Sequence, residues 1–386
     1  MLAGLLSAIG IGQTMAGWIA TIRFVGQPLA SSSARPPITV LKPLHGDEPL
    51  LNQALTTLCR QDYPEYQIVF GVQDPADTAL PVIQRLRAAF PEREIVVVAD
   101  TAQHGPNRKV GNLINMFAAA KHDLLVIADS DLHVRPDYLV DLAATLGDPD
   151  VGLATTLYVG RPAARCLPAL LGASQITHGF LPGALLARAM GRQDCLGATM
   201  CLRRDTLTRI GGLHALVDHL ADDNVLGQLV RGLGLDVRLA GTIVETTVPE
   251  TTFAALFRHE LRWARTIRAL VPGAFALSVL QYPIFWAMVA IVISGGAVWT
   301  VGLFFLAWVA RAAAATGIDA ALAPRVEMLA FPATVGLFPL RELLSVATML
   351  ASHAGKSVDW RGHTMHAAGY DHTTTSSQPA KGLHTR

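Results

Sequence analysis

Charge is scarce in this chain of 386 residues. Asp, Glu, Lys and Arg make up 16% of it, against about 25% in average soluble proteins. Neither sign is in excess: Lys+Arg 31 against Asp+Glu 30 gives a net charge of +1. That balance excludes an electrostatic case for a nucleic-acid partner, which needs a clear excess of Lys and Arg. Cysteine is scarce too. Four are present, Cys59, Cys166, Cys195 and Cys201, and none forms a CxxC pair. A disulfide scaffold and a cysteine zinc site are therefore excluded. No GxGxxG follows the first strand-like run, which disfavours a dinucleotide-binding domain.

What is abundant is apolar sequence. The hydrophobic set reaches 51%, the mean hydropathy is +0.36, and disorder is excluded for most of the chain. Met1 to Ile22 carries no charge, long enough for one crossing. A first segment, 1–23, reads as a transmembrane helix, with Arg23 and Arg35 placing the residues after it in the cytoplasm. Residues 36–268 hold most of the charges and read as a soluble domain. Ala269 to Ala310 again lacks all Lys, Arg, Asp and Glu, and Gly295 and Gly296 divide it. A transmembrane hairpin is expected over 269–314, with helices near 272–293 and 297–314. The segment 326–352 is interrupted by Pro332, Gly336 and Pro339 and contains Arg341 and Glu342. It reads equally as a full span or as a broken, re-entrant or interfacial element, and its ionisable pair is costly unless it faces protein or water. A polar tail, 353–386, carries His363, His366, His372 and His384.

Within 36–268, short β-branched runs alternate with amphipathic stretches. Strands are predicted at Ile38–Leu41, Gln67–Val72, Glu94–Val98 and Asp123–Ala128, with helices at Leu50–Arg60, Thr78–Phe90 and Lys109–Ala120. The continuous apolar run Leu124-Leu-Val-Ile-Ala128 suits a strand buried on both faces. The pattern is α/β: a mostly parallel sheet with helices on both faces. Ligands of such sheets bind outside the carboxyl ends of the strands. Lys42, Glu48, Asp74, Asp129 and Asp131 all fall there. Two carboxylates spaced i, i+2 at a strand end repel unless neutralised, and a hard divalent cation shared with substrate phosphates does that. A second acidic pair, Asp222-Asp223, opens an amphipathic stretch, and a helix start favours an ionised Asp. His259-Glu-Leu-Arg262-Trp263 comes next, on a helix expected over Phe253–Leu270.

This ordered set resembles the D, DxD, D, (Q/R)xxRW signature of lipid-modifying glycosyltransferases with the GT-A fold. It is most similar to the ceramide glucosyltransferase branch, family 21, and within it to the bacterial hopanoid-biosynthesis-associated glycosyltransferases. The likeness includes Lys42-Pro-Leu-His-Gly46 with Glu48-Pro49, Val72-Gln-Asp74, Lys109-Val-Gly-Asn-Leu113 and Trp360-Arg361-Gly362. One position departs: His259 stands where the motif has Gln or Arg.

The resemblance implies a membrane-bound, metal-dependent, inverting enzyme of the bacterial inner membrane, its catalytic domain cytoplasmic. It implies a UDP-sugar donor and a lipid acceptor, with N-acetylglucosamine passing to a hopanoid polyol of the bacteriohopanetetrol type. Ceramide with UDP-glucose is the alternative. It implies Mg2+ or Mn2+ on Asp131 and Asp129, and nucleotide-sugar binding by Glu48, Asp74, Lys109 and Asp129. Asp223 is implied as catalytic base, with Arg262 at the diphosphate and Trp263 as a wall of the site. Gly197-Ala-Thr199-Met200 resembles the segment beneath the acceptor. A transporter or membrane scaffold is disfavoured because the acidic residues lie outside the few spanning-length segments. A processive polysaccharide synthase is disfavoured by the small hairpin.

Overall fold

The computed structural model describes residues 1–30, 32–326, 332–355, 357–360 and 363–366. Arg361, Gly362, His372 and His384 lie outside the described residues, as does most of the tail.

Eight strands form one sheet: β1 (Ile38–Pro43), β2 (Tyr66–Val72), β3 (Glu94–Ala99), β4 (Leu124–Ala128), β5 (Leu132–His133), β6 (Val151–Pro162), β7 (Thr199–Arg203) and β8 (Asp236–Val248). Their order is β3-β2-β1-β4-β7-β6-β8-β5. The first four strands run parallel. β7 then enters antiparallel to both β4 and β6, while β6 and β8 pair in parallel. The sheet is therefore mixed, parallel in its first half. Successive residues of each strand feed opposite cores. Val40, Ile68, Phe70 and Val126 join one cluster, and Leu41, Val69, Leu125 and Ile127 the other. That two-residue period is why the predicted strands read as continuously apolar.

Helices Leu51–Cys59, Leu80–Ala89 and Arg108–Phe117 connect the parallel strands, each within a few residues of its predicted range. Chain order reverses between β1 and β4, because β1 takes β2 on one side and β4 on the other. The ligand crevice of an open α/β sheet lies at such a switch point.

The apolar segments surround the other end of the chain. Helix Leu2–Val25 buries Ala3, Ser7, Gly10, Thr14, Gly17 and Thr21, a stripe of small residues that lets backbones approach closely. At Gly10 a Cβ would lie 2.6 Å from the Leu280 carbonyl oxygen, so a larger residue there would push the helices apart. The Ser7 hydroxyl donates to the Pro283 carbonyl at 2.8 Å.

The helices expected at 272–293 and 297–314 are arranged differently. The first is bent by 71° between Pro272–Gln281 and Pro283–Ile293; Pro283 cannot continue the preceding turn. The second runs from Val298 to Leu322, so Arg311 lies within it. Among the described residues, three helices are long and apolar enough to cross a membrane, or up to four if the bent pair is one span.

The last, Phe338–Ser352, contains the Arg341 and Glu342 pair, and both face protein. Arg341 binds the Glu260 carboxylate through two bonds of 2.7 and 2.6 Å. Glu342 faces Arg311 at 3.3 Å and accepts from the Phe285 N–H. Each buried charge has an opposite partner, as burial requires.

Candidate active site

The carboxyl edge of the parallel strands carries the acidic residues that the sequence marks. Lys42 ends β1 and is 1% exposed. Its ammonium is pulled down to about 8 by burial, against the opposing charges of Asp131, Asp129 and Glu48. Glu48 lies in the turn after β1, and its carboxylate accepts from Ser130 Oγ at 2.5 Å. Glu48 is thus tied to the middle residue of Asp129-Ser130-Asp131. Asp74 follows β2, is exposed, and accepts from the Ala76 N–H at 2.8 Å.

Asp129 and Asp131 flank the end of β4. Asp131 accepts from Thr246 Oγ1 at 2.5 Å, and its carbonyl accepts from Thr247 N–H. Burial, and then the charge of Asp129, pushes the Asp131 carboxyl up to about 6. Two carboxylates in one site resist joint ionisation. Lys109 answers part of that charge. Its Nζ lies 2.8 Å from Asp129 Oδ1 and 3.5 Å from Asp222 Oδ2. Burial alone would lower its affinity for a proton, but Asp129 and Asp222 outweigh burial and raise it. Lys109 is therefore a fixed cation inside the cleft and not a solvated lysine at a helix start.

The helix opened by the second acidic pair runs Asp222–Gly232. The two carboxylates point to different tasks. Asp222 is engaged: Asn107 Nδ2 donates to it at 3.3 Å, and Lys109 sits beside it. The same Asn107 caps its own helix by accepting from Val110 N–H. Asp223 accepts only from the backbone N–H of Asn224 among the described side-chain bonds.

The helix start was expected to keep Asp223 ionised. Burial and the neighbouring Asp222 charge win instead and push its carboxyl up to about 7, against lowering by Lys109 and the Asn224 N–H. Gly197 makes room for it, since a Cβ there would lie 2.8 Å from Asp223 Oδ2. The same loop is bonded to the acidic pair, because Asp129 N–H donates to the Ala198 carbonyl. Gly197→Ala is expected to displace Asp223 and lower kcat by up to about 10²-fold, the scale of a 1 Å misplacement. Wild-type turnover from the variant would mean that Asp223 moves freely.

Helix Phe253–Leu270 carries Arg262 and Trp263. Trp263 packs against Ala173, Ile176 and Val248. His259 resolves the motif's departure: its Nδ1 bonds Glu250, and its ring meets Trp263 edge-on at 4.7 Å. It fixes the tryptophan from one turn away.

No predicted strand covers Thr246 or Glu250: Thr246 lies near the end of β8 and Glu250 just beyond it. Lys42 falls at the end of β1, as its place in the sequence predicts.

Among the described residues, no three His, Cys, Asp or Glu side chains gather to hold a metal by themselves. The donor set fits a cation that takes one or two carboxylates and completes its shell with substrate phosphates and water.

The sheet order and this acidic edge are those of the GT-A fold. A mannosyltransferase of Pyrobaculum calidifontis, solved with GDP-Man and Mn2+, shares the fold: TM-score 0.50 and 20% identity, over 90% of this chain and 99% of that one. The family 21 glycosyl transferase profile matches residues 2–371, and the chain belongs to that family.

Among curated proteins, a ceramide glucosyltransferase of Caenorhabditis elegans is 23% identical over 64% of this chain and 53% of its own length. An N-acetylglucosaminyltransferase of Rhizobium leguminosarum bv. viciae is 24% identical over 60% of this chain and 55% of its own. The chain thus spans about half the length of these relatives.

Proposed function

We propose that this protein transfers a sugar from a UDP-sugar to a lipid hydroxyl with inversion at the anomeric carbon. The proposed pair is N-acetylglucosamine and a hopanoid polyol of the bacteriohopanetetrol type, at the bacterial inner membrane. The observation that carries the reaction type is the cleft itself. Lys109 is locked between Asp129 and Asp222, with Asp223 turned toward Gly197 beside them. A cation and one free carboxylate suit a single displacement with a diphosphate leaving group.

Asp223 takes the proton of the acceptor hydroxyl. Lys109 and Arg262 meet the negative charge that develops on the departing diphosphate. Glu48 and Asp74, beside β1 and β2, receive the uridine, and Trp263 closes the acceptor side. Asp131 with Asp129 would hold Mg2+ or Mn2+, which supplies Lewis-acid neutralisation of the phosphates.

The lipid acceptor is supported by the helices of spanning length. They are bound directly to the catalytic domain through Glu260–Arg341 and His178–Asp319. In the proposed division, 36–268 is the cytoplasmic catalytic unit, 1–23 and 269–314 cross the membrane, and 326–352 is a broken or re-entrant element. Protease or thiol-label access to 36–268 from the periplasmic side of intact cells would overturn that orientation.

Ceramide with UDP-glucose is the second reading, favoured by the likeness to a ceramide glucosyltransferase. Product mass spectrometry decides between them. The chain is expressed in a hopanoid-making host lacking its own copy, and the lipids are extracted. A hopanoid carrying one N-acetylhexosamine supports the first reading. A hexosylceramide from added ceramide supports the second, and a polymer or no glycolipid overturns both.

A further inference from the structure

One aromatic pair beside the acidic edge has no part in the motifs. β6 and β8 pair in register, with Tyr158 opposite Val244, Gly160 opposite Thr246 and Pro162 opposite Val248. Residues two apart on a strand share a face. Tyr158 therefore lies on the face of Thr246, whose hydroxyl bonds Asp131. Helix Leu167–Gln175 lies flat on this face. A Cβ at Gly160 would come 2.4 Å from the Ala173 Cα.

The helix then opens into a π-helical turn, Ile176–Phe180. Such turns are rare and recur at functional sites. Here the turn lays Phe180 on Tyr158, ring centroids 4.6 Å apart and planes within 25°. Tyr158, Phe180 and Trp263 all pack on the same small cluster of Ala173, Ile176 and Val248.

The Tyr158 ring is fixed, yet among the described residues its hydroxyl has no hydrogen-bond partner, and it is not among the fully buried unpartnered atoms. Burial, and then the charges of Asp223, Asp129 and Asp131, pushes its phenol well above the usual range. It stays protonated, on the strand face that carries Thr246 and, through the Thr246 hydroxyl, Asp131. Behind it, the π-helical turn is fastened to the apolar helix Val298–Leu322: His178 Nε2 meets Asp319 Oδ1 at 2.8 Å, and its Nδ1 meets Ser174 at 3.0 Å.

We propose that Tyr158, seated on Phe180, is an acceptor-binding residue whose hydroxyl donates to the oxygen of the incoming lipid alcohol and presents it to Asp223. The ligand class is an amphipathic alcohol, an apolar body ending in a hydroxyl. Aromatic rings with a polar tip suit both parts of such a molecule. The inference rests on the glycosyltransferase reading above. In the step itself, the acceptor O–H proton passes to Asp223 and the oxygen bonds the anomeric carbon. The bond from that carbon to the diphosphate breaks, and UDP leaves with the electron pair. Tyr158 keeps its own proton throughout.

The test uses the full chain in detergent micelles, with UDP-N-acetylglucosamine or UDP-glucose as donor. Bacteriohopanetetrol and a short-chain ceramide serve as alternative acceptors. Three quantities are read: acceptor KM, UDP affinity, and acceptor-independent release of sugar to water. Tyr158→Phe should raise the acceptor KM by about 3- to 10-fold, the scale of one neutral hydrogen bond. UDP affinity and sugar release to water should stay unchanged. Phe180→Leu, which keeps an apolar packing group, should raise the acceptor KM in the same way.

An unchanged acceptor KM in Tyr158→Phe, with active wild type, overturns the seat alone. Equal loss of UDP affinity or of sugar release to water also overturns it, since the residue would then serve the whole fold or the donor. A wild type that glycosylates neither alcohol removes the functional reading and the seat together.

Discussion

Asp223→Asn should lower kcat by about 10²–10⁴-fold, the usual contribution of a general base, with little change in UDP affinity. The substitution is nearly isosteric and removes only the proton acceptor. Asp222→Asn should behave differently, because Asp222 holds Asn107 and Lys109. It should lose less in kcat and show its cost in a raised donor KM.

The pH profile supplies an independent signature. A base must be unprotonated to act, and the Asp223 carboxyl is pushed up to about 7 by burial and by Asp222. The kcat of the wild type should therefore fall as pH drops below about 7, and this limb should vanish in Asp223→Asn. If Asp222→Asn were the more damaging change in kcat, the base would be Asp222. If neither variant lost even tenfold, the single-displacement mechanism would lack its base.

The second large effect concerns the acidic pair at the end of β4. Chelation with EDTA should abolish turnover of the wild type, and Mn2+ or Mg2+ should restore it. Asp131→Ala should remain inactive after metal is returned, and Mn2+ binding followed by electron paramagnetic resonance should weaken. The physical ground is the repulsion already visible at Asp131, whose carboxyl is raised to about 6 by burial and by Asp129. Lys109 offsets one negative charge of the cleft and leaves the rest for a divalent cation and the donor. Full activity of Asp131→Ala in chelator would remove the metal from this site.

The legible part of the fold was its parallel half. β1, β2 and β4 bury both faces and β3 closes the edge half-buried, so each reads as a short β-branched run, and the helices between them carry an amphipathic period. β6 and β8 were hidden for the opposite reason. Gly152, Thr155, Thr156 and Gly160 break up β6, Gly241 and Thr242 break up β8, and their pairing contains register shifts.

The candidate residues on strand ends could be placed because turn-forming carboxylates follow recognisable strands. What could not be placed were contacts across long sequence separations. Thr246 on Asp131 and Phe180 on Tyr158 leave no local pattern. The helix boundaries near the apolar segments were displaced for a further reason. Composition reports where charge stops, and Arg311 looks like an end until its partner Glu342 is seen.

The small-residue stripe of the first helix has a consequence for how the chain is made. Ser7 finds the carbonyl of Pro283, and Gly10 lies against Leu280. A ribosome adding about 5–20 residues per second needs tens of seconds to supply those partners. Throughout that interval this helix lacks the Leu280 and Pro283 side of its packing, while the eight-stranded sheet is completed. Its polar atoms are handled locally in the meantime: Thr14 and Thr21 bond the carbonyls of Gly10 and Gly17, one turn back. Closure of the helical seam is thus a late event of high contact order. Bulky substitutions along the stripe should show first as poor assembly during biosynthesis, before any defect in the chemistry of the finished protein.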